Sequence, residues 1–147
     1  MEKVRQRIAC KAVIEYTSKV LILREASTYI EGTNGGRYHL PGGRIEPGEP
    51  YKDGLAREVL EETGLQVTLG KPLYAGEWFP IIRGEQNQIV ATFFDCKAQT
   101  DEVRLSNEHD DYRWIDPMNY AQYDLMAPED KVFEALLQAN AAKPVQG

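Results

Sequence analysis

The sequence contains few of the residues that carry metal or redox chemistry through sulfur or imidazole, with two cysteines and two histidines among 147 residues. Cys10 and Cys96 lie far apart and form no Cys-x-x-Cys motif, so the spacing typical of a thiolate zinc site is absent. Both cysteines lie in apolar or mixed segments that are typical of strands. We therefore expect two reduced, buried thiols, as in cytosolic proteins.

Long apolar runs and basic runs are also absent. No apolar run approaches the ~18 residues that a membrane-spanning helix needs, and none follows the charged segment at residues 1–7. The net charge is −6, which disfavours wrapping of duplex nucleic acid through its phosphates. We expect a cytoplasmic protein that has no membrane span and no nucleic-acid partner. If it handles phosphates, a metal ion is needed to offset its own negative charge.

Length and composition are typical of one globular domain, which we place at residues 1–147. Hydrophobic residues make up 42% of the chain and charged residues 27%, so the chain can bury a core without crosslinks. Strands interleaved with helices predict the α/β class with a mixed sheet. The tail from Lys143 is expected to fray.

Apolar and β-branched runs predict the positions of the strands. They lie at residues 8–16, 19–24, 38–40, 88–98 and 111–115, with one or two more between 65 and 79. Helices are predicted from Pro50 to Gly64, briefly after Asp116-Pro117, and from 129 to 142. The segment Pro41-Gly42-Gly43 predicts a tight turn before the first helix. The predicted apolar stripe of that helix consists of Leu55, Ala56, Val59 and Leu60.

The acidic residues of the first helix are its most informative feature. Glu58, Glu61 and Glu62 stand at i, i+3 and i+4, so they project within an arc of about 100°. Three like charges placed together cost stability unless a positive charge lies among them. A hard divalent cation with oxygen ligands satisfies that need. The spacing therefore predicts a metal site.

Residues 43–65 have the pattern G-x5-E-x7-R-E-(apolar)-x-E-E-x-G-(apolar), which matches every fixed position of the Nudix box. The chain therefore resembles the Nudix (MutT-like) hydrolases. The resemblance implies an α/β/α sandwich with a mixed sheet between helices, and an Mg²⁺- or Mn²⁺-dependent pyrophosphohydrolase. The fixed positions are Gly43, Glu49, Arg57, Glu58, Glu61, Glu62 and Gly64.

The resemblance also implies roles for individual residues. Glu62 is expected to be a direct metal ligand, while Glu58 and Glu61 share the ligand and general-base roles. The carbonyl of Gly42 is a further metal ligand, and Glu108 is a fourth acid that can reach the metal. Gly43, Glu49 and Gly64 are structural, and Arg57 pairs with Glu49 beside the catalytic acids.

Several residues outside the box are candidates for contact with substrate. Trp78 and Phe79 are expected to stack on a base, although packing in the core or in a homodimer interface explains them equally well. The arginines that are candidates for phosphate contacts are Arg24, Arg37, Arg44 and Arg83; each alone is also consistent with a solvated surface residue. His39 is expected to serve in packing or hydrogen bonding. His109 is expected to be a loop residue without a role in the site, with contact to substrate as the alternative.

The substrate of the expected reaction stays open at this level. The short length favours a nucleoside triphosphate, cleaved to the monophosphate and pyrophosphate. Pro80 lies near the position where ADP-ribose hydrolases of the family carry a proline, so ADP-ribose or a nucleotide sugar is the alternative. A catalytically silent nucleotide-binding module is a third reading, and the acidic charge argues against mRNA decapping.

Overall fold

The computed structural model describes residues 3–29, 32 and 34–143. The elements, in chain order, are β1 Val4–Tyr16, β2 Lys19–Glu25, β3 Tyr38–His39, β4 Gly42–Arg44, α1 Tyr51–Thr63, β5 Val67–Trp78, β6 Ile81–Ile82, β7 Glu85–Ala98, β8 His109–Ile115, a 3₁₀ helix Pro117–Gln122 and α2 Glu129–Ala141. Apart from Lys143, the tail that was expected to fray lies outside the described residues.

The strands form one mixed sheet with the order β3-β2-β1-β7-β5. β1 and β7 are parallel in a continuous register from Val4↔Gln86 to Glu15↔Lys97, whereas the other paired strands are antiparallel. Strand β4 pairs with β1, β6 with β7, and β8 with β2. This architecture confirms the predicted α/β class and mixed sheet.

A helix covers each face of the sheet, which confirms the expected α/β/α layering. Successive side chains of a strand point to opposite faces, so β1 contributes to two cores. Ala9 and Val13 pack in the core that contains Val132, Phe133 and Leu136 of α2. The alternate residues Cys10, Ala12 and Ile14 pack in the core that contains Leu55 and Val59 of α1. Both cysteines are buried and free, as expected.

Helix α1 is rotated relative to the predicted apolar stripe. Leu55 and Val59 are buried as predicted, but Ala56 is exposed and Leu60 is 49% exposed. The buried stripe continues from Val59 to Glu62 and Thr63, because residues at i, i+3 and i+4 share a helix face. This rotation turns one of the acidic residues toward the sheet.

One prediction about the strands was wrong, and another, one or two strands between 65 and 79, is confirmed as a single strand. The predicted turn at Gly42-Gly43 is the strand β4, in which Gly42 has a φ of 132° and pairs with Lys11. A Cβ at Gly42 would lie 2.4 Å from the Cys10 carbonyl oxygen, so glycine is required for this close pairing. The segment between 65 and 79 forms one strand, β5, whose register shifts on both sides of Pro72.

None of the helices among the described residues combines the length and the apolar character that a bilayer crossing requires.

Candidate active site

A cavity of about 300 Å³ lies where the sheet meets the buried side of α1 and the loop before β8. Glu58 and Glu62 enter it from the helix, and Glu108 enters from the loop. Gly42, Gly43 and Arg44 of β4 form another part of the wall, and Trp78 lies at the end of β5. Glu25 and Glu46 also line it, so the fold brings five carboxylates to one cavity.

Glu62 is the most deeply buried of these acids, with 4% of its surface exposed. One of its carboxylate oxygens accepts a hydrogen bond of 3.2 Å from the backbone N–H of Gly42. Burial, followed by the charge of Glu58, raises the pKa of Glu62 well above its ordinary value. Burial also raises the pKa of Glu58. Two such carboxylates create a demand for positive charge inside the cavity.

Arg57 lies outside the cavity lining and braces the acidic helix from its flank. Its guanidinium donates to Glu49 at 2.9 and 3.0 Å, to Glu58 at 3.1 Å and to Glu61 at 3.5 Å. The hydrogen bond from Arg57 lowers the pKa of Glu49. Glu49 is therefore held against the helix, where a Cβ at Gly54 would lie 2.7 Å from its carboxylate oxygen. This close approach explains a glycine in the middle of α1.

Glu61 lies apart from the other two motif acids. Its side chain is 58% exposed, and it does not belong to the residues that line the cavity. Because Glu58 and Glu62 are four residues apart, they share a side of the helix, and Glu61 projects further toward solvent. Its predicted share in metal binding or base catalysis stays a prediction.

Two motif glycines permit the geometry around the acids. A Cβ at Gly43 would lie 2.8 Å from the Glu58 carboxylate, so this position leaves room for that side chain. Gly64 ends α1 with a φ of 73°, and its N–H donates to the Leu60 carbonyl at 2.9 Å. This left-handed cap was predicted.

Glu108 lines the cavity from the loop before β8. The Tyr29 hydroxyl hydrogen-bonds to its carboxylate, and this contact adds to burial in raising the pKa of Tyr29. The charge of Glu108 also contributes to the raised pKa values of Glu58 and Glu62. Glu108 therefore shares a cavity with both acids and acts on them through its charge.

A buried polar network below the acids was missed from the sequence. Lys11 donates to Glu129 at 2.9 Å and lies 3.2 Å from Nδ1 of His39. The second Glu129 oxygen accepts a hydrogen bond from the backbone N–H of Leu40. The one available signal was a lysine at an inward position of the apolar strand β1, in line with Ala9 and Val13.

The two histidines extend this network to the acidic cluster. Their Nε2 atoms lie 2.7 Å apart, and Nε2 of His109 lies 3.5 Å from a Glu62 oxygen. Burial, with Lys11 nearby, lowers the pKa of His109 to about 4 and that of His39 well below its ordinary value. Both rings are therefore neutral near pH 7, and one donates to the other. The expectation that His109 is a loop residue without a role in the site misses this position beside Glu62.

The residues expected to contact substrate are divided by the structure. Arg44 and Trp78 line the cavity. Phe79 is 67% exposed and does not belong to the lining. Arg24 and Arg37 also lie outside the lining, where they pair with Asp110 at 2.7 Å and Asp124 at 3.3 Å. Of the residues expected to contact substrate, Arg44 and Trp78 therefore lie in the wall of the cavity.

The donor set of the cavity fits a hard divalent cation. Glu58, Glu62 and Glu108 offer carboxylate oxygens, which Mg²⁺ and Mn²⁺ prefer. Among the described residues, the group whose ligand atoms all lie within 4.8 Å of one another is a different one, His39, Glu62 and His109. The ammonium of Lys11 adjoins His39, however, and repels a cation from the imidazole side. The acidic side of Glu62 is thus the favoured position.

Comparison with known proteins agrees with this geometry. The NUDIX domain profile matches residues 5–137. A nucleoside triphosphatase NudI from Escherichia fergusonii is 30% identical over 129 residues, which cover 82% of this chain and 89% of the relative. A MutT protein from Methanosarcina mazei Go1 has a similar crystal structure, with a TM-score of 0.83, 29% identity, and coverage of 95% of this chain and 99% of that chain.

A further solved structure supports the fold alone. It is an ADP-ribose pyrophosphatase from Streptococcus suis, with a TM-score of 0.68 and 17% identity, covering 95% of this chain and 96% of that chain. The profile match spans nearly the whole chain and includes the acidic helix. Together with the complete motif of α1, it shows that the chain belongs to the NUDIX family and is a Nudix hydrolase.

Proposed function

We propose that this protein is a divalent-metal-dependent pyrophosphohydrolase that cleaves nucleoside triphosphates to the monophosphate and pyrophosphate. The observation that carries the proposal is the pair of half-buried Glu58 and buried Glu62, which lines one cavity together with Glu108. A similar protein over most of both chains is named a nucleoside triphosphatase, which supports the choice of substrate.

The acids of the cavity hold the metal in this proposal. Glu58 and Glu62 bind Mg²⁺, with Mn²⁺ as a substitute, and Glu108 and the Gly42 carbonyl complete the protein ligands. When bound, such an ion neutralises phosphate charge and lowers the pKa of its bound water. Arg57 and Glu49 keep α1 in position, so the acids meet the ion without reorganisation.

The remaining residues bind the nucleotide and accept a proton. Trp78 stacks on the base and Arg44 contacts a phosphate, because both line the cavity with the acids. The general base is one of Glu58, Glu61 and Glu108. Single Glu→Gln variants of these three separate the choices, since loss of the base lowers kcat at saturating metal.

The proposal predicts that Glu62→Gln removes activity. With Mg²⁺ and a panel of nucleoside triphosphates, turnover should fall by at least ~100-fold. Loss of a residue that only orients a metal ligand lowers activity by up to ~100-fold, and loss of a ligand itself should cost at least as much. The matched control is Glu134→Gln, which changes an exposed residue of α2. Full turnover by Glu62→Gln would show that the metal assignment is wrong.

ADP-ribose, or a nucleotide sugar, is the alternative substrate. Pro80, which suggested it from the sequence, lies in the cavity wall beside Trp78. Parallel assays with canonical and oxidised nucleoside triphosphates, ADP-ribose and dinucleoside polyphosphates rank the substrates by kcat/KM. Tight nucleotide binding without product in any of them would instead support the silent binding module.

Three expectations about partners and place accompany this proposal and stay predictions. They are the cytoplasmic location, the absence of a nucleic-acid partner, and an oligomeric state left open by the sequence, with a homodimer as one candidate. An assay with capped RNA tests the second, and light scattering of the purified protein tests the third.

A further inference from the structure

A second cavity, of about 370 Å³, adjoins the active-site cavity and shares Arg44 and Ile82 with it. Its polar walls come from the start of β1, the turn after β6 and the start of β7. The arginines that line it are Arg5, Arg7, Arg44 and Arg83. We call it the arginine cavity.

The register of the sheet connects the arginine cavity to the acidic one. Arg5, Arg7, Ala9 and Lys11 occupy alternate positions of β1 and therefore point to the same face. Arg7 lines the arginine cavity, whereas Ala9 lines the active site two residues further along. Ala9 pairs with Arg44 of β4, which belongs to both walls. The two cavities therefore follow one another along β1 and share part of a wall, with Arg7 and Ala9 about 7 Å apart along the strand at ~3.3 Å per residue.

The charge in the arginine cavity is unusual for this chain. The protein carries a net charge of −6, yet four of its nine arginines line this one cavity. Glu85 is the one acid of the lining and pairs with Arg5 at 3.0 Å. Nε of Arg7 is buried and has no hydrogen-bond partner among the described residues. A buried donor without a partner costs free energy, and an acceptor bound to the guanidinium of Arg7 would offset that cost.

The backbone of the turn between β6 and β7 also supports a ligand role. The backbone of Arg83 has a φ of 50°, a left-handed conformation that residues other than glycine rarely adopt. Gly84 follows with a φ of 77°. Two-residue hairpin turns of this kind favour asparagine, aspartate or glycine at the first position. An arginine here places a guanidinium at the edge of the cavity at some cost in conformational energy.

We propose that the arginine cavity binds the terminal phosphate or pyrophosphate group of the substrate whose linkage is cleaved beside Glu58 and Glu62. Guanidinium groups bind phosphate oxygens in pairs, and several of them converge here. The subsite selects substrates that end in a free, doubly charged phosphate over those that end in an uncharged sugar. This inference rests on the proposed function for the identity of the substrate, but the anion site itself does not.

Direct binding tests the anion site without any turnover. Inorganic pyrophosphate is titrated by calorimetry into the full-length protein in EDTA, so that no metal draws the anion to the acidic cavity. We expect binding by the unmodified protein and about tenfold weaker binding by Arg7→Gln and by Arg83→Gln, as for loss of a charge-assisted hydrogen bond. Arg113→Gln on β8 is the matched control and should bind normally. No binding by the unmodified protein, or equal binding by all variants, would overturn the proposal.

Steady-state kinetics then identify the source of the phosphate. For a nucleoside triphosphate, Arg83→Gln should raise KM about tenfold and change kcat less than twofold, while KM for ADP-ribose stays unchanged. Arg83 is exposed on a turn, so this variant keeps the fold even if Arg7→Gln does not. Weaker pyrophosphate binding with an unchanged KM for the triphosphate would mean a separate anion site, which contradicts the substrate role. If no nucleotide is turned over at all, the proposed function fails while the calorimetry still decides the anion site.

Discussion

At the scale of single residues, the buried Lys11–Glu129 ion pair is the most consequential contact outside the catalytic acids. Both side chains are nearly inaccessible to solvent. Breaking a buried pair leaves one charge without compensation, whereas removing both partners can be nearly neutral. The pair also joins α2 to the strand that lines the active site, because Glu129 begins that helix.

We therefore predict that Lys11→Met lowers the free energy of unfolding by about 3–5 kcal/mol. The double variant Lys11→Met/Glu129→Gln should recover part of that loss. Urea unfolding, followed by fluorescence, measures both. Lys97→Met, which breaks the exposed ion pair with Glu15, is the control and should cost less than about 1 kcal/mol. Equal losses for the buried and the exposed lysine would contradict this account of the network.

At the scale of elements, the end of α1 controls the position of the catalytic acids. Gly64 follows the motif glutamates directly and adopts a left-handed conformation, with the side chain of Arg104 3.3 Å from where a Cβ would lie. Residues other than glycine pay about 1–2 kcal/mol for this conformation, and asparagine pays least. The cap is thus a local device with a direct effect on the site.

Gly64→Ala is predicted to destabilise the protein by about 1–2 kcal/mol and to lower kcat, because the last turn that carries Glu62 loses its cap. Gly64→Asn should retain more stability and activity than Gly64→Ala. Thermal unfolding and turnover of the two variants are compared under the same metal concentration. A smaller loss for alanine than for asparagine would exclude the left-handed cap as the reason for this glycine.

At the scale of the whole molecule, the acidic cavity couples stability to pH and to metal. Glu58 and Glu62 have pKa values that burial raises above those of the unfolded chain. An acid with a raised pKa in the folded state contributes stability at low pH, and this contribution is lost as pH rises through the folded pKa. The lost stability returns when a cation binds the ionised acids.

In EDTA, the contribution of Glu58 and Glu62 to the melting temperature should therefore decline as pH rises from about 4.3, the ordinary pKa of glutamate, toward neutrality. His39 and His109, whose pKa values are lowered, contribute in the opposite direction, so the decline is measured as the difference from the double variant Glu58→Gln/Glu62→Gln. Saturating Mn²⁺ should raise the melting temperature at pH 7 and flatten this decline. The double variant itself should show no response to metal. A similar metal response in the double variant would show that the ion binds elsewhere.

The sequence predicts the elements that depend on local periodicity and on a complete motif. The helix from Pro50 to Gly64 and its glycine cap agree with the structure because capping and helix period are short-range effects. The rotation of that helix was not predictable in the same way. Whether Leu60 or Glu62 faces the sheet depends on packing against strands from distant parts of the chain.

By itself, the sequence determined the family, the α/β class and the presence of three acids on one helix, since all three follow from spacing along the chain. Tertiary structure alone decided which acids share the cavity. It places Glu108 in the same cavity as Glu58 and Glu62 and leaves Glu61 outside. It also joined Lys11 to Glu129, 118 residues away, and gathered the arginine cavity from β1 and the β6–β7 turn. Such contacts depend on strand pairing between distant segments, which no local pattern of residues encodes.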